Sequence, residues 1–231
     1  MRVRLLFLLL TGLVLCPVPG HAQQVLNDMV IAVTNDRAGE VRALLARGVD
    51  ANSVDAAGDP LLVIAARNGS VGAVDALLAA KAKPDTPNGH GDTPLMLAAI
   101  KGNLEIARRL RAAGASLDPP GWTPLIYAAT GGQEAMVRYL LDQGANINAA
   151  SPNGTTALMM ATREHHVAIA ELLLERGADA KRQNQAGLTA LAYAEQGNET
   201  ELAQWLRAAA RGQPLPERKV IDEKLPSRIR R

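Results

Sequence analysis

The residues of this chain best suited to chemistry are two adjacent histidines, His165 and His166 in Arg-Glu-His-His, a Gly-His-Gly at 89–91, and four aspartates, Asp55, Asp59, Asp85 and Asp92. Histidines ligate metal when their rings converge. On a helix the converging spacings are three and four, so neighbours make a poor pair. A loop that cradles phosphate needs glycines that expose several backbone N–H groups, and 89–91 lacks the third glycine. The four aspartates stand in segments rich in Asp, Asn, Gly and Pro and read as solvated turn residues. The sequence holds no G-x-x-x-x-G-K-S/T, no G-x-S-x-G and no H-E-x-x-H. Its one cysteine is Cys16, so nothing after it can act as a thiol nucleophile or a Cys ligand. No catalytic residue, metal or cofactor is expected.

The elements that carry these residues repeat. Gly58, Gly91, Gly121, Gly154 and Gly187 follow one another at spacings of 33, 30, 33 and 33. Eleven residues after these openers stand Gly69, Gly102, Gly132 and His165; twenty-three after them stand Lys81, Gly114, Gly144 and Gly177. Gly48 precedes Lys81 by 33, so an earlier copy starts near Val25 with its opening rewritten. A fixed period near 33 marks a repeat array, in which each unit is the next unit's core.

Within a copy the local signals are helical. In Asp-Thr-Pro-Leu-Met-Leu-Ala-Ala (92–99), Thr93 suits the N-cap and Pro94 the first helical position, where its missing N–H costs nothing. Gly102 ends this short helix and Asn103 caps a second, whose Leu104, Ile106, Ala107 and Leu110 share a face. Gly114 stands where a left-handed terminator belongs. The remaining residues are too few for a helix and form a projecting finger. Aromatics make up only 3 % of the chain against 48 % hydrophobic residues, so the core is Ala, Leu and Val and favours thin, close-packed helices. Leu77, Leu110, Leu140 and Leu173 share one register, nineteen after the opener, and should all be buried between units.

Residues 91–110 and 121–149 resemble ankyrin repeats, and the resemblance spans about 25–212. It implies an all-α ankyrin-repeat solenoid of helix-turn-helix units with projecting fingers, in units of about 25–57, 58–90, 91–120, 121–153, 154–186 and 187–211. Several departures stand out. The histidine usual after Thr-Pro-Leu is replaced by Val63, Met96, Ile126, Met159 and Ala192. Unit 91–120 is three residues shorter in its finger. Arg111 replaces the leucine of Leu45, Leu78, Leu141 and Leu174, which implies either a local kink or a stem lying over the core edge. The closing unit reads as one residue short between Ala194 and Asn198.

The resemblance also implies non-enzymatic binding of a protein partner on a concave face. That face is built from residues flanking each opener and from those six, nine and ten after it. Register by register, this places Asp59, His90, Asp92 and Trp122 at the finger tips. Tyr127, Met160 and Tyr193 take the sixth position, and Arg67, Ile100, Lys101, Thr130 and Arg163 the ninth and tenth. The candidate partner-contacting residues are Trp122, Tyr127, Arg67, Arg163, Asp59, His90, Asp92, Lys101 and Tyr193. Trp122 takes a finger position that is usually polar. It is either an interface anchor or local packing over Pro119 and Pro120.

The ends of the chain differ from the array. A basic start, the apolar run Leu5–Leu15 and small Gly20 and Ala22 have the layout of a signal peptide cut between Ala22 and Gln23. Eleven residues of helix span ~16 Å, about half a hydrocarbon core, so a membrane anchor is disfavoured. The expected location is the periplasm of a bacterium, with full secretion as the alternative. The whole chain carries +2, and its last twenty residues hold six Lys/Arg against three Asp/Glu. No basic stripe of a nucleic-acid binder is present. Residues 212–231 read as a flexible basic tail, or as an anchor for an acidic partner or anionic lipid. A monomer is expected. The alternatives for function are an immunity or inhibitor protein for a toxic enzyme and a secreted effector acting on a host protein.

Overall fold

The computed structural model describes residues 19–216. Most of the signal-peptide segment and most of the tail therefore lie outside the described residues. Twelve helices in six pairs fill the described chain: α1 (Pro19–Thr34) with α2 (Ala38–Ala46), α3 (Leu61–Asn68) with α4 (Val71–Ala79), α5 (Pro94–Lys101) with α6 (Leu104–Ala112), α7 (Pro124–Thr130) with α8 (Glu134–Asp142), α9 (Ala157–Arg163) with α10 (Val167–Glu175), and α11 (Ala190–Gln196) with α12 (Thr200–Arg211). First helices pack on first helices and second on second, giving two parallel layers. Isolated bridges, Val54 with Pro60 and Ala150 with Thr156, close two of the fingers.

Each first helix starts as its sequence dictates. The hydroxyls of Thr93, Thr123, Thr156 and Thr189 accept from the N–H groups of Met96, Ile126, Met159 and Ala192. Pro94 and Pro124 occupy the first turn, where no donor is lost. In the unit opened by Gly58, Pro60 takes the cap position and contributes no side-chain bond. Asn103 caps α6 through Ile106 N–H at 3.0 Å. The apolar replacements for the family histidine, Val63, Met96, Ile126 and Met159, are buried, so packing stands there in place of polar contacts.

The glycine register has a backbone cause. Openers, positions eleven after them and, as far as Gly177, positions twenty-three after them have positive φ, a region that is free of strain for glycine alone. The non-glycine occupants, Asp36, Lys81, His165 and Asn198, hold φ of 53°, 66°, 60° and 58° in the same registers. Asn198 therefore sits eleven after Gly187, and the closing unit is not one residue short. Leu206, nineteen after that opener, is fully buried like its counterparts. Asparagine makes at 198 the left-handed turn that glycine makes in the other units.

Leu77, Leu110, Leu140 and Leu173 are 0 % exposed. Each contributes roughly 1.5–3 kcal/mol by burial between units. Arg111 is half-buried and its guanidinium folds back onto the Ala115 carbonyl of its own helix end. The outer layer is stitched by Asp75–Arg109 at 2.6 Å, Arg108 over the Tyr139 ring at 5.8 Å, and Asp142–Arg176 at 3.1 Å. These exposed contacts are each worth at most about 1 kcal/mol.

The two ends depart from the boundaries drawn on sequence. α1 begins at Pro19, so the proposed cut after Ala22 falls inside a helix that stands where other units have a finger. At the other end Gly212 terminates α12 in the left-handed conformation, and Leu215 still packs against the core. The ordered array therefore reaches past 211 into the segment read as flexible tail.

Candidate protein-binding face

Two side-chain ladders hold the first helices and fingers in place. The first runs through position twelve of three units. Ser70 Oγ donates to Thr34 O, Gln133 Nε2 to Ile100 O at 3.3 Å, and His166 Nε2 meets Thr130 O at 3.2 Å. Gln133 and His166 pass over Gly102 and Gly132, position eleven of the preceding unit. A Cβ at Gly132 would lie 2.7 Å from the His166 ring, so glycine is needed there for space as well as for φ. The second ladder joins fingers. Asn52, Asp85, Asp118 and Asn148 accept from the backbone N–H groups of Lys83, Ser116, Asn146 and Asp179, each in the next unit.

These ladders change the reading of the chemistry-bearing residues. His166 is a rung, and His165 Nδ1 lies 3.0 Å from Glu199 Oε1 in the closing unit. Neither needs a metal to account for it. Among the described residues no group of three or more His, Cys, Asp or Glu is placed to hold a metal ion. The aspartates are not simply solvated. Asp55 accepts from Ala57 and Asp59 N–H at 2.9 Å, Asp85 is a finger rung, and Asp92 is tied twice.

Asp92 is the hinge of the candidate face. Its Oδ2 accepts from Asn88 Nδ2 at 3.2 Å and its Oδ1 accepts from the hydroxyl of Tyr127 in the following unit. Burial first, and then this bond to a carboxylate, push the Tyr127 hydroxyl well above the ordinary tyrosine range. The Trp122 ring meets Tyr127 edge to face, with centroids 6.2 Å apart. Trp122 is thus packed within its own unit, yet 36 % of it stays open to solvent.

Together these rings border a pocket of ≈ 250 Å³ lined by Ile100, Trp122, Tyr127, Thr130 and Met160. All five stand in the registers assigned to the partner-gripping face, and they come from three successive units. α5 and α7 approach so closely at Gly131 that an added Cβ would clash with the Ile100 carbonyl oxygen and lie 3.1 Å from its Cγ1.

The other candidate residues lie apart from this cluster. Arg67 pairs with Asp59 at 2.6 Å, Arg163 with Glu164 at 2.7 Å, and Tyr193 Oη accepts from Asn184 Nδ2 at 3.1 Å. His90 and Lys101 are exposed. Sequence reasoning missed the ties of Asp92 and His166. The signal available was the recurrence of hydrogen-bonding types at position twelve: Ser70, Asn103, Gln133, His166, Glu199.

Paired helices, projecting fingers and a fixed register define a helical-repeat solenoid. A family model described as ankyrin repeats (3 copies) matches residues 29–120, 113–184 and 150–214. The chain belongs to the ankyrin-repeat family. Ankyrin repeats are generally protein–protein interaction modules, typically without catalysis of their own. No helix among the described residues is long and apolar enough to cross a membrane.

Proposed function

We propose that this chain is a non-enzymatic module that grips a protein partner on the concave face of its first helices and fingers, and that it works in the periplasm. The observation that carries the binding role is the pocket of Ile100, Trp122, Tyr127, Thr130 and Met160. It is an apolar concavity, open to solvent, in the registers that the resemblance assigns to binding, and Trp122 on its rim keeps 36 % of its surface exposed. Export is supported by the apolar run Leu5–Leu15 followed by small Gly20 and Ala22.

Two measurements test this. Periplasmic extract passed over the immobilised chain should yield a specific protein whose retention falls when Trp122 becomes alanine. Retention unchanged by substitutions across the first-helix face would overturn the binding role. Mass analysis of the exported protein should show an N-terminus at Gln23; full-length chain held in the membrane pellet would overturn the export reading.

A further inference from the structure

The first unit exposes what the later units cover. Counted from Val25, it places Ile31 at position six, Ala43 at eighteen, Leu44 at nineteen and Arg47 at twenty-two. In later units these registers reach the preceding unit. Tyr127 at six bonds Asp92, Arg109 and Tyr139 at eighteen meet Asp75 and Arg108, and Arg176 at twenty-two meets Asp142. Among the described residues no unit precedes the first. Ile31 is left 50 % exposed, the most open large apolar side chain among them. With Ala43 and Leu44 it lines a groove of ≈ 460 Å³ between α1 and α2. Asp28 and Arg47 line the same groove, and among the described residues neither has an ion pair; Asp28 accepts only from Gln24 Nε2, at 3.0 Å. The far end of the array is different. There Glu195 and Arg207 pair at 2.6 Å beside Asn198, Thr200 and Gln204, and no large apolar side chain is exposed.

We propose that the face of the first unit docks a second copy of the chain, first unit against first unit about a two-fold axis. Ile31 of each copy enters the groove of the other, and Asp28 of each copy faces Arg47 of the other. A patch with one apolar anchor, one acid and one base, neither of them paired, complements itself, as an isologous interface requires. Head-to-tail stacking would instead press Ile31 onto the paired charges of the last unit. The face is one helix pair wide, so the dimer is reversible and near the small end of specific interfaces, about 1,200 Å² in all. It departs from the monomer expected on sequence. It leaves the pocket of Ile100, Trp122 and Met160, two to four units away, open in both copies, and it does not rest on what that pocket binds.

Sedimentation equilibrium of the exported protein, from about 1 µM to 1 mM, tests this. The mass should rise with concentration and level at two chains. Ile31→Asp should weaken association at least about tenfold with the helical circular dichroism unchanged. Asp28→Arg and Arg47→Asp should each weaken it as well. Mixing these two variants should restore it, because every facing pair then joins opposite charges. This rescue keeps the test decisive even if Ile31→Asp fails to fold. A monomer across the whole range would overturn the proposal, and so would a mass that climbs past two chains, the mark of head-to-tail stacking. A dimer indifferent to Ile31→Asp and to both charge reversals would place the contact elsewhere, also against it. Weakening by the single reversals with no rescue on mixing would overturn the two-fold arrangement.

Discussion

The hydroxyl of Tyr127 donates to Oδ1 of Asp92, thirty-five residues earlier and in the preceding unit. This bond ties a finger to the first helix of its neighbour and fixes one wall of the apolar pocket. Tyr127→Phe removes the donor and leaves the half-buried carboxylate with Asn88 as its side-chain partner, which should cost about 1–2 kcal/mol in a urea melt. Loss of under about 0.3 kcal/mol would show the tie to be incidental.

The same bond predicts a pH dependence. The folded chain keeps Tyr127 protonated to higher pH than the unfolded chain does, by burial and by its bond to Asp92. Its contribution to stability is therefore whole below the ordinary tyrosine value near pH ~10 and falls as the pH rises beyond it. Stability above that pH should decline less steeply in Tyr127→Phe than in the parent, measured by denaturation at fixed pH values. Parallel profiles would contradict the account.

Gly131 has an ordinary φ of −81°, so its need for glycine is spatial. Gly131→Ala should drive α7 from the Ile100 carbonyl and cost ~1–3 kcal/mol by overpacking. Lys101 and Glu164 fill the same register in neighbouring units, so Lys101→Ala should stay within about 0.5 kcal/mol of the parent. Equal melting temperatures for all three proteins would show that the shortened unit leaves more room than its geometry implies.

Leu140 is fully buried between units. Leu140→Ala should cost ~2–5 kcal/mol through the cavity left behind. Because each unit is its neighbours' core, the loss should spread to the adjacent helices, seen as faster amide exchange in α6 and α10 as well as α8. Exchange confined to α8 would mean that units melt singly.

Much of this was legible in the sequence because the array writes the same constraint several times. Thr93 and Pro94 announce a helix start, and Leu77, Leu110, Leu140 and Leu173 announce one buried row. The glycine registers were legible as spacing, and the structure supplies their reason in positive φ. The closing unit was misread because Asn198 makes a left-handed turn without being glycine. The polar ladders were legible only as a recurrence of hydrogen-bonding types, not as contacts. Ser70, Gln133 and His166 differ in shape, and what they share is a reach back to the carbonyl at position nine of the preceding unit. The Asp92–Tyr127 tie joins residues from different registers, so no periodicity marks it. The partner-contacting registers came from family resemblance; the pocket itself depends on Trp122 in a shortened finger, a feature no other unit repeats.

The central claim is that Trp122 serves binding more than folding. The most direct test measures both in one variant. Trp122→Ala should weaken retention of the captured partner by ~2 kcal/mol or more, while the helical circular dichroism and melting temperature stay nearly unchanged. If Trp122→Ala instead unfolds the chain, and the folded fraction binds as tightly as before, Trp122 is a core residue and the pocket is not where the partner is held.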